Sequence, residues 1–406
     1  MKEKKCRIYV LTVVTAVFMI LCAYGIHAVT DGKIKDRVVK TGFVYVGDAS
    51  TGYTGNFMKA QNEIEKIYAG QIETFTKYNV AEEAVTDALD ELIAEGCELI
   101  FTNSYGFGEK TKEYAGRYPD VQFCQSACNN ADESPVYDNY HTFMGEIYQG
   151  RYISGVIAGM KMAELIEDGT ITKEQAKAGY VGAYPNPEVI SGYTAFILGI
   201  RSVVPEAVMT VRYTDSWENY HLEKECAKKL IEEGCVVISQ HSDTAGPAAA
   251  CEETDSTQTV YYVSYNDSMS DIAPTTYLTG TKINWEPYMQ DAVAAVLSGK
   301  KIESCVNGHI FGNDTGAGFE SGWVEMLEMN EFTVADGSRE RAEELIEAFK
   351  KHKIKVFYGD YTGTDPSDLA DTIDLNSEYQ ENKNSSVPTF HYILDDVVTV
   401  ETDTDS

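Results

Sequence analysis

The stretch VISQHSDTAG (237–246) places a histidine, a serine and an aspartate directly after an apolar run. Nucleophilic catalysis would need a serine or cysteine beside a histidine that a third group orients, and the sequence contains no G-x-S-x-G elbow. His241 and Asp243 would point the same way in an extended segment, but no other histidine has metal-ligand spacing. The sequence therefore predicts no catalytic site, no metal and no cofactor. We expect His241 to pack or to bond the backbone, and Asp243 to face a ligand.

The ends of other predicted strands carry similar side chains. In open α/β sheets, ligands bind beyond the carboxyl ends of the strands. DASTGYTGN follows the strand TGFVYVG, NSYGFG follows CELIFT, and NDSMSD follows YYVSY. Aromatic rings there could stack on a planar ligand, and the carboxylates and amides could bond its polar atoms. The predicted ligand-binding residues are Asp48, Tyr53, Ser104, Tyr105, Phe107, Trp217, Asp243, Asn266 and Asp267.

The alternative explanation is that these are ordinary loops, since loops are generally polar and rich in glycine. The concentration of aromatic residues in the same loops favours a ligand cleft. A phosphate-binding loop is excluded because GFG completes neither G-x-G-x-x-G nor a Walker motif.

The elements that would position these loops alternate between strand and helix. The first series runs through TGFVYVG (41–47), the helix NFMKAQNEIEKIY (56–68), a helix over 82–96 that ends on Gly96, and CELIFTNS (97–104). This alternation is typical of a doubly wound parallel sheet. The pattern restarts at AGYVGAY (178–184), with a helix over 187–205, and continues to YYVSYN (261–266).

Two copies of one α/β scheme in 406 residues predict two lobes around a hinged cleft. The two-lobe region spans 39–370, with lobe 1 at about 41–150 plus a later segment and lobe 2 at about 178–265 plus a later segment. The long helix GEIYQGRYISGVIAGMKM (145–162) should press tightly onto a sheet through its glycines. The polar, acidic residues 371–406 are expected to form a loosely held tail.

The first 30 residues predict export. MKEKKCR is basic, and no charged side chain occurs from Ile8 to Thr30, which is long enough to span a bilayer. A cleaved secretory signal remains the alternative. Cys22 suggests a lipoprotein signal, but the bulky Leu21 stands where a small residue is expected. The segment 1–30 is thus a signal or a membrane anchor.

Charge and cysteine content exclude other partners and cofactors. The chain holds 64 Asp and Glu against 33 Lys and Arg, a net charge of −31, which repels the phosphate backbone of nucleic acid. Seven of the nine cysteines lie beyond the leader, and an odd number cannot pair completely. Their spacing fits no zinc site. We expect mostly buried thiols, with Cys124 and Cys128 as one candidate disulfide.

Several segments, in this order, resemble the basic membrane protein family: GFVYVGD, LIFTNSYGF, IYQGRYISGVIAG, GYVGAYPNPEVISGYTAFILGIRSVVPEA, TDSWE, VVISQHSDT, YNDSMS and NWEPY. These are substrate-binding proteins of ABC transporters, related to purine-nucleoside receptor lipoproteins. The resemblance covers about Gly42 to Ala370. It implies a type I periplasmic-binding-protein fold, with two doubly wound parallel-sheet lobes that close on a purine or nucleoside.

By position, the resemblance implies that Tyr53 and Trp217 stack on the ligand from opposite sides and that Asn266 and Asp267 contact ribose. Ser104, Tyr105 and Phe107 would line the first lobe, and Glu146 is a further candidate. The sequence departs from the family at the missing lipoprotein signal, at Tyr53, where tryptophan or phenylalanine is common, and at Lys282, which matches a family lysine only loosely.

The predicted function is ligand capture at the extracytoplasmic face of a bacterial cell membrane, with delivery to an ABC permease and its ATPase subunits. One alternative is a membrane-anchored sensor that uses the same cleft for signalling. The other is a nucleoside-cleaving enzyme with Asp243 or Asp267 as the base.

Overall fold

The computed structural model describes residues 37–401, which form two large sheets, a small third sheet and the helices that cover them. The strands are β1 (Val39–Val44), β2 (Ile72–Lys77), β3 (Leu99–Thr102), β4 (Gln122–Ser126), β5 (Tyr140–Gly145), β6 (Lys177–Gly182), β7 (Val208–Tyr213), β8 (Val237–His241), β9 (Tyr261–Tyr265), β10 (Tyr277–Ile283), β11 (His309–Phe311), β12 (Asp314–Ala317), β13 (Val324–Met326), β14 (Thr362–Asp365), β15 (Asp368–Asp374), β16 (Ile393–Leu394) and β17 (Val398–Glu401). The helices are α1 (Gly52–Ile67), α2 (Val85–Glu95), α3 (Gly108–Arg117), α4 (Tyr148–Glu167), α5 (Pro187–Arg201), α6 (Tyr220–Glu232), α7 (Gly246–Glu252), α8 (Glu286–Ser298) and α9 (Ser338–Phe349).

Each lobe is built on a seven-stranded sheet. The first has the order β11-β12-β5-β4-β3-β1-β2, and the second has the order β13-β10-β9-β8-β6-β7-β17. Within these two sheets the pairs β11–β12 and β10–β13 are antiparallel, and the other pairs are parallel. Two doubly wound α/β lobes confirm the predicted fold class.

The chain passes between the two sheets three times. It leaves the first sheet after β5, returns to it after β10, and crosses again from β12 to β13. The second crossing brings helix α8 back to the first lobe, where Trp285 stacks on Phe57 at 4.1 Å and Tyr68 donates to the carbonyl of Gln290 at 3.0 Å. The first two crossings carry helices α4 and α8, and the third, between β12 and β13, is short. Connections that pass between two lobes are where hinge motion takes place.

Local sequence explains where helices begin and end. Asn186 caps α5 by accepting from the N–H of Val189 at 3.1 Å, and Pro187 follows at the first helical position. Gly96 ends α2 with a φ of +84°, a left-handed conformation that glycine adopts without strain. The predicted end of this helix at Gly96 is confirmed.

Helix α4 packs through glycines, but mostly against a helix rather than a sheet. A Cβ on Gly150 would lie 2.0 Å from the Thr281 hydroxyl in β10, which agrees with the expected sheet contact. A Cβ on Gly155 would lie 2.0 Å from the carbonyl oxygen of Phe196 in α5, and Gly199 faces it across the same contact. The small residues therefore let two buried helix backbones touch.

The segment after Ala370 is part of the fold up to residue 401, contrary to the expected loose tail. β17 pairs in parallel with β7 at the edge of the second sheet, and Leu375 and Phe390 are fully buried. The Ser386 hydroxyl donates to Asp314 of the first sheet at 2.6 Å. Composition misled here because a few spaced apolar residues anchor an otherwise polar segment.

All seven cysteines of the described residues are free thiols, so the candidate pair Cys124 and Cys128 is not bridged. The Cys128 sulfur lies 3.5 Å from the carbonyl oxygen of Tyr105, whereas Cys124 is fully buried in β4. Burial raises the pKa of the Cys128 thiol to about 12, which keeps it protonated and unreactive.

The predicted signal or anchor, residues 1–30, lies outside the described residues. Within residues 37–401 no helix has the length and apolar character that crossing a membrane requires.

Replacing Gly155 with alanine should weaken the contact between α4 and α5. The added methyl group meets the Phe196 carbonyl, so the helices must separate, and we expect a loss of roughly 1–3 kcal/mol in the free energy of unfolding. Denaturant unfolding of the wild type and the variant measures this difference in free energy. The matched control is Gly55→Ala in α1, where the nearest atom lies at 3.9 Å. That variant should be neutral or stabilised by up to about 1 kcal/mol. Equal stabilities of the two variants would contradict the packing role.

Candidate functional site

The carboxyl ends of the two parallel sheets face each other and are in contact. The Asn56 side chain of α1 donates to the carbonyl of Asn266 after β9 at 2.7 Å, and Lys59 pairs with Asp267 at 3.0 Å. A Cβ on Gly52 would lie 3.1–3.2 Å from the side chains of Asp267 and Asn266. The lobes are therefore closed on each other at the strand ends, where ligands bind in open α/β sheets.

Tyr53 forms the aromatic wall of the first lobe. Its hydroxyl donates to the carbonyl of Asn103 at 2.7 Å, and its ring packs edge-on against Phe57 and Trp285 at 5.2 and 6.1 Å. Burial raises the pKa of Tyr53, and the charges of Glu188 and Asp243 from the other lobe raise it further. The phenol is thus a neutral, fixed ring that lies close to the second lobe.

Trp217 forms the aromatic wall of the second lobe. Its ring lies edge-on to Tyr184 and His241, with centroids 5.7 and 6.3 Å apart, and 36% of the residue is exposed. The carbonyl of Trp217 accepts from the N–H of Asp243 at 2.9 Å. This bond holds the indole and the carboxyl side chain together on one loop face.

His241 is fully buried and packs, as expected from the sequence, although its polar contact is with a side chain rather than the backbone. Its ring lies 4.4 Å from that of Tyr265, and Nε2 lies 3.4 Å from the Glu188 carboxylate. Burial lowers the pKa of His241 to about 4. The imidazole is therefore neutral at pH 7 and packs as an uncharged ring that can form hydrogen bonds.

Asp243 is the carboxyl group that the site leaves available. Within residues 37–401 its side chain has neither a hydrogen bond nor an ion pair, and the residue is partly buried. Burial raises the pKa of Asp243 well above its usual value, and the nearby Glu223, Glu188 and Glu218 add to the effect. A protonated carboxyl group can both donate and accept a hydrogen bond.

Four of the predicted residues make their contacts within the first lobe. Asp48 accepts from the N–H of Ser50 at 2.9 Å and so closes its own turn, and Ser104 donates to Glu82 at 3.1 Å. Tyr105 is 78% exposed. Phe107, expected to line the cleft, is fully buried in the core of the first lobe because it directly precedes α3 and falls on that helix's inner side.

Glu146 and Lys282 are satisfied by protein partners. Glu146 lies at the first crossing, where it accepts from His309 and Gln149, both at 2.6 Å. Lys282 pairs with Glu325 at 3.0 Å within the second sheet. These contacts account for both charges and assign them a structural role.

Sequence reasoning missed Arg151 on α4. The residue is fully buried, and its guanidinium lies 3.9 Å from the ring centre of Tyr265 and 5.7 Å from that of Tyr180. None of its three nitrogens has a hydrogen-bond partner among residues 37–401. The available signal was an arginine inside an otherwise apolar, glycine-rich helical stretch.

Two surface grooves and one acidic cluster are also present among the described residues, and the first groove borders the contact between the lobes. The grooves, of about 360 and 530 Å³, are lined by side chains that include Asn56, Lys59 and Lys282 in the first and residues 378–389 in the second. Neither includes Tyr53 or Trp217, so we place the site between the lobes, where the unpartnered buried polar atoms are.

The acidic cluster, within the described residues, comprises Asp365, Asp371 and His391 in the third sheet. Its carboxylates lie 3.8 and 3.7 Å from His391 Nε2. Charge pairing of this histidine with two carboxylates accounts for the cluster.

Comparison with known proteins supports a solute-binding fold. The model of the Bmp family, described as ABC transporter substrate-binding protein PnrA-like, matches residues 39–355. A solute-binding protein of an ABC transporter system from Conexibacter woesei superposes with a TM-score of 0.60 at 17% identity, covering 78% of this chain and 97% of that one.

Two curated relatives carry different ligand names. A purine-binding protein of Brucella abortus is 32% identical over 266 residues, which is 65% of this chain and 70% of that protein. A putative ABC transporter glucose-binding protein of Haloferax volcanii is 29% identical over 258 residues, 63% of this chain and 61% of that protein. The chain thus spans about two thirds of the length of these relatives.

Asp243→Asn should raise the melting temperature of the ligand-free protein at pH 7. The folded state holds this proton more tightly than the unfolded chain, so the carboxyl group destabilises the fold increasingly as pH rises above about 4. Asparagine removes that cost, and we expect a gain of about 1–3 °C. The gain should shrink to zero towards pH 4, as thermal scans at several pH values will show.

Asp48→Asn is the matched control, and we expect it to change the melting temperature in the opposite direction. Hydrogen bonds, first of all with Ser50, lower the pKa of Asp48 to about 2, so its carboxylate contributes stability that is present above about pH 4 and lost below it. The melting temperature should therefore fall at pH 7 in this variant. Equal responses of the two variants would refute the assigned environments.

Proposed function

This chain belongs to the Bmp family of ABC transporter substrate-binding proteins, PnrA-like, and we propose that it captures a purine base or nucleoside between its two lobes. The family consists of solute-binding proteins rather than enzymes. The observation that carries the proposal is the combination of an aromatic side chain on each lobe with a carboxyl group, on the second lobe, that has no partner among residues 37–401. Tyr53 and Trp217 supply the walls, and Asp243 supplies the carboxyl group.

Physical chemistry favours a flat, weakly polar ligand for this arrangement. Aromatic rings stack on planar heterocycles, and each such pair contributes about 0.5–1.5 kcal/mol beyond the area it buries. Tyr53 and His241 contribute uncharged rings to the site, beside the carboxyl groups of Asp243 and Glu188. Binding sites of this type combine apolar walls with a small number of convergent polar groups, which matches a nucleobase.

The named ligands of the two relatives give the competing candidates. The Brucella abortus relative is a purine-binding protein, and the Haloferax volcanii relative is a putative glucose-binding protein. A sugar can also stack on one aromatic face, but a planar ring uses two opposed faces. The two walls therefore support a purine over glucose for this chain.

We assign delivery to an ABC permease and its ATPase at the outer face of the cell membrane as the second half of the function. The three crossings between the sheets are the connections at which the lobes would hinge around a ligand. Delivery is tested by ligand-dependent stimulation of ATPase activity in the reconstituted transporter. A sensor would bind the same ligand without stimulating it.

Trp217→Ala should weaken purine binding by roughly 10- to 100-fold, because it removes one stacking face and its buried area. Thermal unfolding against purines, nucleosides and glucose identifies the ligand first, since a ligand at 100 times its Kd adds about 2.7 kcal/mol of stability. Titration calorimetry then measures the loss of affinity in the variant. Trp217→Phe should keep most of the affinity.

Phe332→Ala is the control for surface aromatics, because Phe332 is 99% exposed in another part of the second lobe. It should leave binding unchanged. A response to glucose alone, or to no member of the panel, would refute the purine proposal. Recovery of free base and ribose from a bound nucleoside would instead favour the nucleoside-cleaving alternative.

A further inference from the structure

We propose that Arg151, together with Tyr180 and His241, binds the hydrogen-bond acceptor edge of the ligand and makes the cleft selective for a 6-oxopurine over a 6-aminopurine. This inference rests on the proposed function and specifies the class of purine. Its basis is a group of buried polar atoms in the second lobe that have no partner within residues 37–401.

The environment of Arg151 is energetically unusual. A guanidinium stays charged in proteins and offers five N–H donors, and burying a charge without hydrogen bonds is costly. Arg151 is fully buried, and the contacts that offset its charge are the rings of Tyr265 and Tyr180. Cation–π contacts offset part of this cost, but they leave the N–H donors themselves without hydrogen bonds.

The surroundings of Arg151 connect it to the face between the lobes. Tyr265 ends β9, directly before Asn266, which contacts the first lobe. The Tyr265 ring touches Arg151 on α4 and also lies 4.4 Å from His241, whose ring in turn lies 6.3 Å from Trp217. A continuous layer of rings therefore leads from the guanidinium to the aromatic wall of the second lobe.

The unpartnered atoms at this face are mostly donors. Besides the three nitrogens of Arg151, the amide nitrogens of Asn103 and Asn266 lack partners among the described residues. The Tyr180 hydroxyl and His241 Nδ1 are also unpartnered there and can act either way. Asn56 Oδ1 is an unpartnered acceptor beside them. The complementary ligand is consequently rich in acceptors.

Neighbouring carboxyl groups argue against an anionic ligand. Glu188 lies against His241 and raises the pKa of Tyr53, Tyr265 and Asp243 through its charge, and Glu218 and Glu223 act on Asp243 in the same direction. An anion held by Arg151 would face this acidic set. A neutral ring with acceptors at its edge avoids that repulsion.

A 6-oxopurine meets these requirements. Its O6 and N7 are adjacent acceptors, which match the two parallel N–H groups of a guanidinium. Adenine presents an amino donor beside N7. Its N–H groups would therefore face the N–H groups of Arg151, and neither could accept a hydrogen bond. The carboxyl group of Asp243 can serve the opposite edge of either purine, so selectivity depends on Arg151.

The test is calorimetric titration of the wild-type chain, Arg151→Met and Arg151→Lys with hypoxanthine and adenine. The wild-type protein should bind hypoxanthine at least about 10-fold more tightly than adenine, because adenine leaves buried donors unpaired. Arg151→Met should lose that preference through weaker hypoxanthine binding. Arg151→Lys keeps the positive charge but lacks the two parallel N–H donors of the guanidinium. It should also lose most of the preference for hypoxanthine.

Melting temperatures of the ligand-free variants separate binding from a structural role. Arg151→Met should be as stable as the wild type or more stable, because it replaces an unpaired buried charge with an apolar side chain of similar size. An arginine needed for folding would make this variant clearly less stable. In that event Tyr180→Phe supplies the second test. It should weaken hypoxanthine binding several-fold and leave adenine binding unchanged.

Three results would overturn the inference: equal affinity of the wild type for both bases, tighter binding of adenine, or a hypoxanthine preference that survives Arg151→Met. If purine binding persists and still depends on Trp217, such a result removes the Arg151 assignment and leaves the proposed function standing. If neither purine binds the wild type, both fail together.

Discussion

The close approach of Gly52 to the turn at Asn266 is the constraint on which the site depends. Asn266 has a φ of +64°, a left-handed conformation that asparagine tolerates better than most residues. This conformation turns its carbonyl towards Asn56 of the first lobe. A side chain at Gly52 would push against Asp267 and Asn266. Glycine on one lobe and a strained turn on the other therefore allow the two sheets to meet at their carboxyl ends.

Several polar groups near that contact are buried without a partner among the described residues. Arg151, Asn103 and Asn266 keep unfilled donors, and Asp243 has a raised pKa. Each of these features reduces stability unless something else bonds the group. In contrast, the buried polar groups at the first crossing are paired, as Glu146 is with His309 and Gln149. Unpaired groups at one face and paired groups at the crossing are typical of a fold that gives up stability at its functional site.

Much of the architecture could be predicted from the sequence, because strand and helix periodicity are local properties. The alternation of parallel strands and helices in both lobes follows from the spacing of apolar residues. The end of α2 at Gly96 follows from the conformational freedom of glycine. The segment after residue 370 could not be predicted, since pairing of β17 with β7 joins residues far apart in the chain. Phe107 and Arg151 were misjudged for a related reason: their burial depends on which face of a helix meets the core, and tertiary packing decides that.

Ligand binding and closure are two aspects of one equilibrium in such a site. A ligand that accepts from the Asn266 amide lowers the free energy of the closed arrangement, because Asn266 lies at the contact between the lobes and finds water when they separate. The shift in population equals the difference in affinity between the two arrangements. A ligand that stacks on one lobe without reaching these donors would bind with little preference for closure. Under the proposed function, hydrogen bonds to these donors therefore favour the closed arrangement more than stacking on the aromatic rings does.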